Sequence, residues 1–148
     1  MSLTNTDDHT RPVTSTRLLL VEDNEALADA TAEFLRSEGL EVQIASTGDE
    51  ALAFAGKFRP DIILCDWRLP DMGGVDIART LRKDPFMTKT VFVIHTAFRK
   101  TDIGDGDIPD VDLFLSKPLT QEKLERLLEL SRRPRIARPL GLNEKFSF

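Results

Sequence analysis

The stretch Ile62-Ile63-Leu64-Cys65-Asp66 decides the fold. Four consecutive apolar residues that end at an aspartate are typical of a parallel strand buried on both faces. Three other stretches repeat the pattern: Leu18–Val21 runs into Glu22 and Asp23, Val91–His95 into Thr96, and Leu113–Leu115 toward Lys117. Ligands of open parallel sheets bind outside the carboxyl ends of the strands. The polar residues at these four ends are therefore expected to share one crevice.

Amphipathic segments alternate with these strands. Strands are predicted at about 17–22, 41–45, 61–66, 90–95 and 112–116, and helices at about 24–38, 47–58, 74–83 and 121–130. The first helix carries one apolar stripe, and the second opens on the capping box Thr47–Glu50. The stripe consists of Leu27, Ala30, Thr31, Phe34 and Leu35.

Residues 99–110 have a weak helical signal where the alternation calls for a helix. They contain Gly104, Gly106 and Pro109, with Ile103 and Ile108 as the apolar residues, and they are expected to form a loop or a single turn. The predicted class is therefore α/β, a flavodoxin-like doubly wound sheet of five parallel strands in the order 2-1-3-4-5 with a weak or missing fourth helix.

Length and composition fit one globular domain. The chain has 148 residues, of which 41% are hydrophobic and 30% charged. Residues 1–15 are expected to be a flexible lead-in, 16–131 the domain, and 132–148 a basic tail or linker. Residues 131–148 carry a net charge of +4 and the rest of the chain −9, so direct nucleic-acid binding by the domain is unexpected. No apolar run has the length of a membrane span, and the first residues lack a signal-peptide core, so a cytoplasmic protein without a membrane contact is expected.

Crowded carboxylates point to a metal. Glu22, Asp23 and Asp66 would repel one another at one sheet edge, and a hard divalent cation with oxygen ligands relieves that repulsion. With Lys117 nearby, the set indicates a Mg²⁺ site that handles a phosphoryl group. Cys65 and His95, both inside apolar strands, are expected to be a buried inert thiol and a core histidine.

Four motifs taken together are similar to the receiver domain of two-component response regulators, over about residues 17–131. They are Val21–Asn24, Leu64–Gly74, Thr96-Ala97 and Ser116–Pro118. The resemblance implies that Asp66 is the phosphorylated aspartate, taking a phosphoryl group from a histidine kinase or a histidine phosphotransfer protein. It also implies that Mg²⁺ (or Mn²⁺) binds Glu22, Asp23, Asp66 and the backbone carbonyl of Arg68.

The same resemblance assigns the remaining site residues. Thr96, Lys117 and the backbone amides of Trp67 and Ala97 would contact the phosphoryl group, and the Lys117–Pro118 peptide would be cis. Thr96 and Phe114 would form the switch that a downstream protein partner reads; Phe114 has no hydroxyl, so its coupling would rest on packing. From their positions beside the site, and not from the resemblance, Arg68 and Phe98 are expected to flank the access to Asp66 and to set the rate of dephosphorylation. The domain would be no enzyme beyond its own phosphorylation and dephosphorylation.

Other functions fit parts of the pattern. A Mg²⁺-dependent aspartyl-phosphate hydrolase of the haloacid-dehalogenase type also uses an aspartate at a strand end, but it needs a second aspartate where this chain has Arg68. A flavodoxin-like FMN binder needs a loop rich in Ser, Thr and Gly where this chain has Glu22–Glu25. A receiver that signals without phosphorylation is disfavoured because every required group is present. Trp67 fits either core packing or a partner-facing sensor.

Overall fold

A parallel sheet forms the centre of the molecule. The computed structural model describes residues 16–97 and 109–133, and the backbone of residues 146 and 147. Five strands lie in the order β2-β1-β3-β4-β5, all parallel, which confirms the predicted order. Their bounds are β1 Arg17–Val21, β2 Glu41–Ala45, β3 Ile62–Cys65, β4 Val91–Thr96 and β5 Leu113–Ser116.

The strand register brings the carboxyl ends together. Val21 of β1 pairs with Cys65 of β3, and Cys65 pairs with Ile94 of β4. Thr96, the last residue of β4, pairs with Ser116 of β5. The residues that follow β1, β3 and β5 therefore emerge at the same edge of the sheet.

Helices cover both faces of the sheet, as a parallel sheet requires. They are α1 Glu25–Ser37, α2 Gly48–Phe58, α3 Gly74–Leu81 and α4 Gln121–Ser131. One core lies between the sheet and helices α1 and α4, and the other between the sheet and helices α2 and α3. None of the described helices is long and apolar enough to cross a membrane. The predicted loop or turn at 99–110 lies mostly outside the described residues, so the weak or missing helix between β4 and β5 remains a prediction.

The apolar stripe predicted for α1 is right in Leu35, which is buried, and in Phe34, which packs against the core, but it is wrong in Ala30 and misses two buried alanines. The buried residues of α1 are Ala28, Ala32 and Leu35, whereas Ala30 is exposed. Small alanines stand at both 28 and 30, so the side chains alone do not distinguish the two faces of the helix.

The capping box of α2 is confirmed in one half and corrected in the other. Thr47 Oγ1 accepts a bond from the amide of Glu50 at 3.1 Å, as predicted. The Glu50 carboxylate, however, accepts from the amide and hydroxyl of Ser46, at 2.7 and 2.8 Å, and so reaches one residue beyond the N-cap.

Two elements were not predicted. A 3₁₀ turn, Pro85–Met87, follows α3 and is capped by the Asp84 side chain. A two-residue strand, β6 Phe146–Ser147, pairs in parallel with β5, so that Phe114 lies opposite Phe146 and Leu115 opposite Ser147. Part of the basic C-terminal segment therefore adds a sixth strand at the β5 edge.

Candidate functional site

Three carboxylates meet at the carboxyl edge of the sheet. Glu22 and Asp23 follow β1, and Asp66 follows β3, its neighbour in the sheet. One ligand oxygen from each residue lies within 4.8 Å of the others. Glu22 is buried, Asp66 is half-buried and Asp23 is exposed, so the cluster opens to solvent on one side. The sequence pattern predicted this convergence correctly.

Lys117 links two of the carboxylates from the far side of β4. Its Nζ lies 2.6 Å from Glu22 Oε1 and 3.3 Å from Asp66 Oδ2. The Lys117–Pro118 peptide is cis, as the resemblance implied. The Lys117 amide donates to the carbonyl of Thr96 at 2.9 Å, which ties the end of β5 to the end of β4.

The ionisation of this group follows from burial and from the lysine. Burial raises the pKa of Asp66, and the neighbouring Lys117 ammonium opposes that rise. Burial would lower the pKa of Lys117, but the bonds to Glu22 and the charges of Asp66 and Glu22 outweigh it and raise the pKa above its ordinary value. Lys117 is therefore a cation at neutral pH, and it offsets one of the three negative charges.

The backbone around Asp66 is closely packed. The amide of Trp67 donates to Asp66 Oδ1 at 2.8 Å, and the amide of Asn24 donates to Glu22 Oε2 at 3.1 Å. A Cβ on Gly74 would lie 2.5 Å from the carbonyl oxygen of Asp66, so only glycine fits at that position. Arg68 is exposed and pairs with Gly73 in an isolated antiparallel bridge. That its carbonyl is a metal ligand remains a prediction.

The predicted switch residues flank the cluster. Thr96 is fully buried at the end of β4, and Ala97 beside it is exposed. Phe114 is also fully buried, and its ring lies 6.4 Å from the Trp67 ring at an interplanar angle of 47°. The aromatic side chain next to Asp66 thus contacts the predicted switch aromatic directly. Phe98, the predicted access residue, lies outside the described residues.

Cys65 and His95, which the sequence predicts to be buried core residues, are both buried. Cys65 is fully buried, and burial raises the pKa of its thiol well above the ordinary value, which keeps it protonated. His95 is 4% exposed, and burial lowers its pKa to about 3, so it is a neutral core histidine.

Two residues near the site were missed by the sequence reasoning. Lys123 of α4 donates to the carbonyl and hydroxyl oxygens of Ser116, at 2.8 and 2.6 Å, and so fixes the turn after β5. Asp71, in the loop after β3, accepts bonds from the first turn of α2. Their types are ordinary for a helix and a turn, and only the fold places their partners beside them.

The donor set fits a hard divalent cation. In the part of the chain that the structure describes, Glu22, Asp23 and Asp66 are the one group of three acids placed to hold a metal. All three offer carboxylate oxygens, which Mg²⁺ and Mn²⁺ prefer over softer ligands. The lysine leaves an excess of negative charge for such an ion to neutralise.

The fold and this edge define a class of protein: flavodoxin-like α/β domains with an acidic, lysine-containing site at the carboxyl ends of the strands. The family model described as the response regulator receiver domain matches residues 18–129. The chain belongs to this family, the receiver domains of two-component signalling.

Curated relatives are longer than this chain. TrcR of Mycobacterium tuberculosis, a transcriptional regulatory protein, is 36% identical over 121 residues, which cover 79% of this chain and 46% of TrcR. MtrA of Mycolicibacterium paratuberculosis, a DNA-binding response regulator, is 35% identical over 111 residues, covering 73% of this chain and 47% of MtrA. The chain thus spans about half the length of these two relatives.

Solved structures of receiver domains are similar over most of the described chain. The chemotaxis response regulator CheY4 of Vibrio cholerae has a TM-score of 0.70 and 26% identity, covering 79% of this chain and 98% of CheY4. The receiver domain of the sensor histidine kinase PA1611 of Pseudomonas aeruginosa, with a magnesium ion coordinated in its active-site cleft, has a TM-score of 0.67 and 28% identity. That likeness covers 78% of this chain and 95% of the PA1611 domain.

Proposed function

We propose that this receiver domain is the phosphoacceptor of a two-component phosphorelay and that Asp66 is the residue that accepts the phosphoryl group. The observation that carries the proposal is the meeting of Glu22, Asp23 and Asp66 within 4.8 Å, with the Lys117 ammonium bonded to two of them. An isolated acidic pair at a strand end would be ordinary. A third carboxylate from a second strand, β3, and a cation from a third strand, β5, make a site suited to phosphoryl transfer.

Mg²⁺ (or Mn²⁺) is the proposed cofactor. Glu22, Asp23, Asp66 and the Arg68 carbonyl would hold it, as the PA1611 receiver domain holds magnesium in its cleft. When bound, the ion supplies positive charge that offsets the carboxylates and the developing charge on the phosphoryl oxygens.

The proposed reaction is a direct transfer to carboxylate. An Asp66 oxygen forms the bond to phosphorus, and the bond between phosphorus and the phosphohistidine nitrogen of the donor breaks, with the electron pair remaining on that nitrogen. Lys117, the Thr96 hydroxyl and the amides of Trp67 and Ala97 would bind the phosphoryl oxygens. Since the Trp67 amide now donates to Asp66 itself, it is already aimed at the place where those oxygens would be.

The proposed output is a change of packing through Thr96 and Phe114. Phe114 is fully buried against Trp67, which is the inward position of the proposed switch. Phosphorylation would shift the balance between this position and an outward one, and a few kcal/mol of differential stabilisation suffices for such a shift. Arg68 and Phe98 would control access of water and donor to Asp66.

Partners and location follow from this function. The donor would be a histidine kinase or a histidine phosphotransfer protein, and a downstream protein would read the switch, in the cytoplasm. The acidic domain would bind neither nucleic acid nor membrane, and it would catalyse only its own phosphorylation and dephosphorylation. None of the relatives described above favours a haloacid-dehalogenase hydrolase, and Arg68 occupies the position of that family's second aspartate.

Beryllofluoride, a phosphoryl mimic, tests the proposal at equilibrium. Trp67 is the one tryptophan of the chain and donates its amide to Asp66, so its fluorescence should change when Mg²⁺ and beryllofluoride are added together. Asp66→Asn should abolish the beryllofluoride response. The matched control is Asp61→Asn, an exposed aspartate just before the same strand, at the opposite edge of the sheet; it should respond as the wild type does. An equal response from wild type and Asp66→Asn would refute the assignment.

A further inference from the structure

Asp71 ties the loop between β3 and α3 to a different helix. Its Oδ1 accepts the amide of Gly48 at 2.8 Å and its Oδ2 accepts the amide of Asp49 at 2.9 Å. These amides belong to the first turn of α2, where backbone donors have no partner within the helix. One exposed carboxylate therefore joins segments that are 22 and 23 residues apart in sequence.

A second contact holds the same loop in the same place. The Met72 side chain lies directly against Gly48, so closely that a Cβ at position 48 would overlap it. The Leu69 amide donates to the Met72 carbonyl at 3.0 Å and closes the turn that contains Asp71. At the other end of the loop, the Gly74 amide donates to the carbonyl of Trp67 at 2.8 Å. The loop is thus fixed at its base and at its tip.

Capping of α2 does not by itself account for Asp71. The helix has a local cap, because Thr47 accepts from the Glu50 amide and the Glu50 carboxylate binds Ser46. The bonds from Asp71 reach the two amides that precede Glu50 in the helix, and they come from a loop that begins at the proposed phosphoacceptor. What these bonds add is a fixed position for the loop relative to α2.

We propose that Asp71 is a positioning residue for the cation site: by clamping the tip of the loop to α2, it fixes the backbone between Asp66 and Asp71 and holds the Arg68 carbonyl where the ion binds. This inference rests on the proposed function, since it assumes that the cation binds at Asp66. The bonds to Gly48 and Asp49 lower the pKa of Asp71, so the clamp is in its ionised form at neutral pH.

The test is Mg²⁺ binding to the full chain, measured by Trp67 fluorescence and by the Mg²⁺-dependent rise in Tm. Asp71→Ala removes both bonds, and its dissociation constant for Mg²⁺ should rise about tenfold or more, the usual effect of losing a group that orients a metal ligand. Asp71→Asn keeps one carbonyl acceptor, so its dissociation constant should lie between those of the wild type and the alanine variant.

The matched control is Glu50→Ala. It removes one carboxylate from the same end of α2, and it breaks the bonds to Ser46 without touching the loop. Its Mg²⁺ affinity should equal that of the wild type. Equal effects of Asp71→Ala and Glu50→Ala, or equal effects of Asp71→Ala and Asp71→Asn, would overturn the inference, because loss of charge or of helix stability would then explain the result.

The two proposals fail in different ways. A wild-type chain that takes up no Mg²⁺ would overturn the proposed function and this inference together. A wild type that binds Mg²⁺ while Asp71→Ala binds it equally well would overturn the positioning role alone. Should Asp71→Ala fail to fold, Asp71→Asn decides the question, with unchanged affinity as the contradicting result.

Discussion

Lys117 is the residue that makes the acidic crevice compatible with a folded chain. Its side chain is 16% exposed, and its ammonium bonds to both Glu22 and Asp66. The same cation has two opposite effects on the proposed chemistry. It repels an incoming divalent ion, and it attracts the oxygens of a phosphoryl group.

Lys117→Met should separate these two effects. Because one positive charge leaves the crevice, the variant should bind Mg²⁺ more tightly, by roughly tenfold. Because no ammonium then binds the phosphoryl oxygens, its rate of labelling by acetyl phosphate should fall. Mg²⁺ titration and the labelling rate are measured on the same sample. If Mg²⁺ affinity and the labelling rate both fall in Lys117→Met, Lys117 acts only by supporting the fold.

His95 makes an acid-sensitive contribution to stability. Among the residues that the structure describes, none forms a hydrogen bond with its buried Nε2, and its pKa in the fold is about 3, against an ordinary value of 6.5. Between these values the unfolded chain binds a proton that the folded chain does not. Stability is therefore unaffected by this group above pH 6.5 and is lost as the pH falls, by up to about 1.4 kcal/mol per pH unit.

His95→Leu should flatten that dependence. The free energy of unfolding, measured with urea between pH 4 and pH 7 (roughly the range in which an unfolded histidine titrates), should decline less steeply with acid than in the wild type. The control is the same pair of proteins above pH 7, where the difference should not change with pH. Parallel curves through the whole range would contradict this account of His95.

At the scale of single residues, the sequence predicted where the three carboxylates and the lysine converge, because these residues follow strand ends. Glu22, Asp23, Asp66 and Lys117 were placed by counting from apolar runs, and the parallel register then brings them together. The role of Asp71 was not predicted, because an aspartate that follows a proline is common in turns of any function. Its partners, the amides of Gly48 and Asp49, are defined only by the way α2 packs beside the loop.

Among the elements, the end of α3 is joined to the sheet by a buried ion pair. Arg82 Nη2 lies 2.8 Å from Asp112 Oδ2, and both side chains are at most 10% exposed. The Arg82 guanidinium also donates to the carbonyls of Met87 and Thr90, and Asp112 accepts the amide of Phe92. The pair therefore connects α3, the 3₁₀ turn, β4 and the entry to β5, at the edge of the sheet away from Asp66.

Asp112→Ala should destabilise the domain by about 3–5 kcal/mol, because it removes the carboxylate that pairs with the buried Arg82 guanidinium and accepts the buried Phe92 amide. Glu129→Ala, which breaks the exposed pair with Arg133, should change stability by less than about 1 kcal/mol. Urea unfolding of both variants measures the contrast. Similar small losses in both would show that the Arg82 pair is no more than a surface contact.

Helix patterns were predicted less accurately than strand ends. Apolar runs mark a buried parallel strand without ambiguity, whereas the stripe on α1 depends on which alanine faces the sheet. The capping box failed in its second half because the Glu50 side chain found both an amide and a hydroxyl on Ser46. Ser46 offers the Glu50 carboxylate two donors, whereas the capping-box motif predicts only the amide of Thr47.

For the whole molecule, the C-terminal strand changes the boundary of the sheet. Without β6, the outer side of β5 would present unpaired backbone groups, a usual site of strand addition. The pairing of Phe146 and Ser147 with Phe114 and Leu115 covers part of that edge. No pattern in residues 132–148 predicted it, because two residues are too few to show an alternation.

Deletion of residues 134–148 should expose the β5 amides that face β6. Their hydrogen exchange should become faster, while exchange in β1 and β3 should not change, since local opening is confined to the edge. The loss of global stability should be small, on the order of 1 kcal/mol, because few hydrogen bonds are involved. Unchanged protection of β5 would mean that β6 contributes no pairing in solution.

The most direct test of the central claim is to locate the phosphoryl group. The full chain is incubated with acetyl phosphate and Mg²⁺, and peptide mass spectrometry then maps the labile phosphoryl bond, with a chelator-treated sample and Asp66→Asn as controls. The account predicts a single modification at Asp66 that disappears in both controls. Labelling that persists in Asp66→Asn, or that proceeds equally well without the metal, would contradict it.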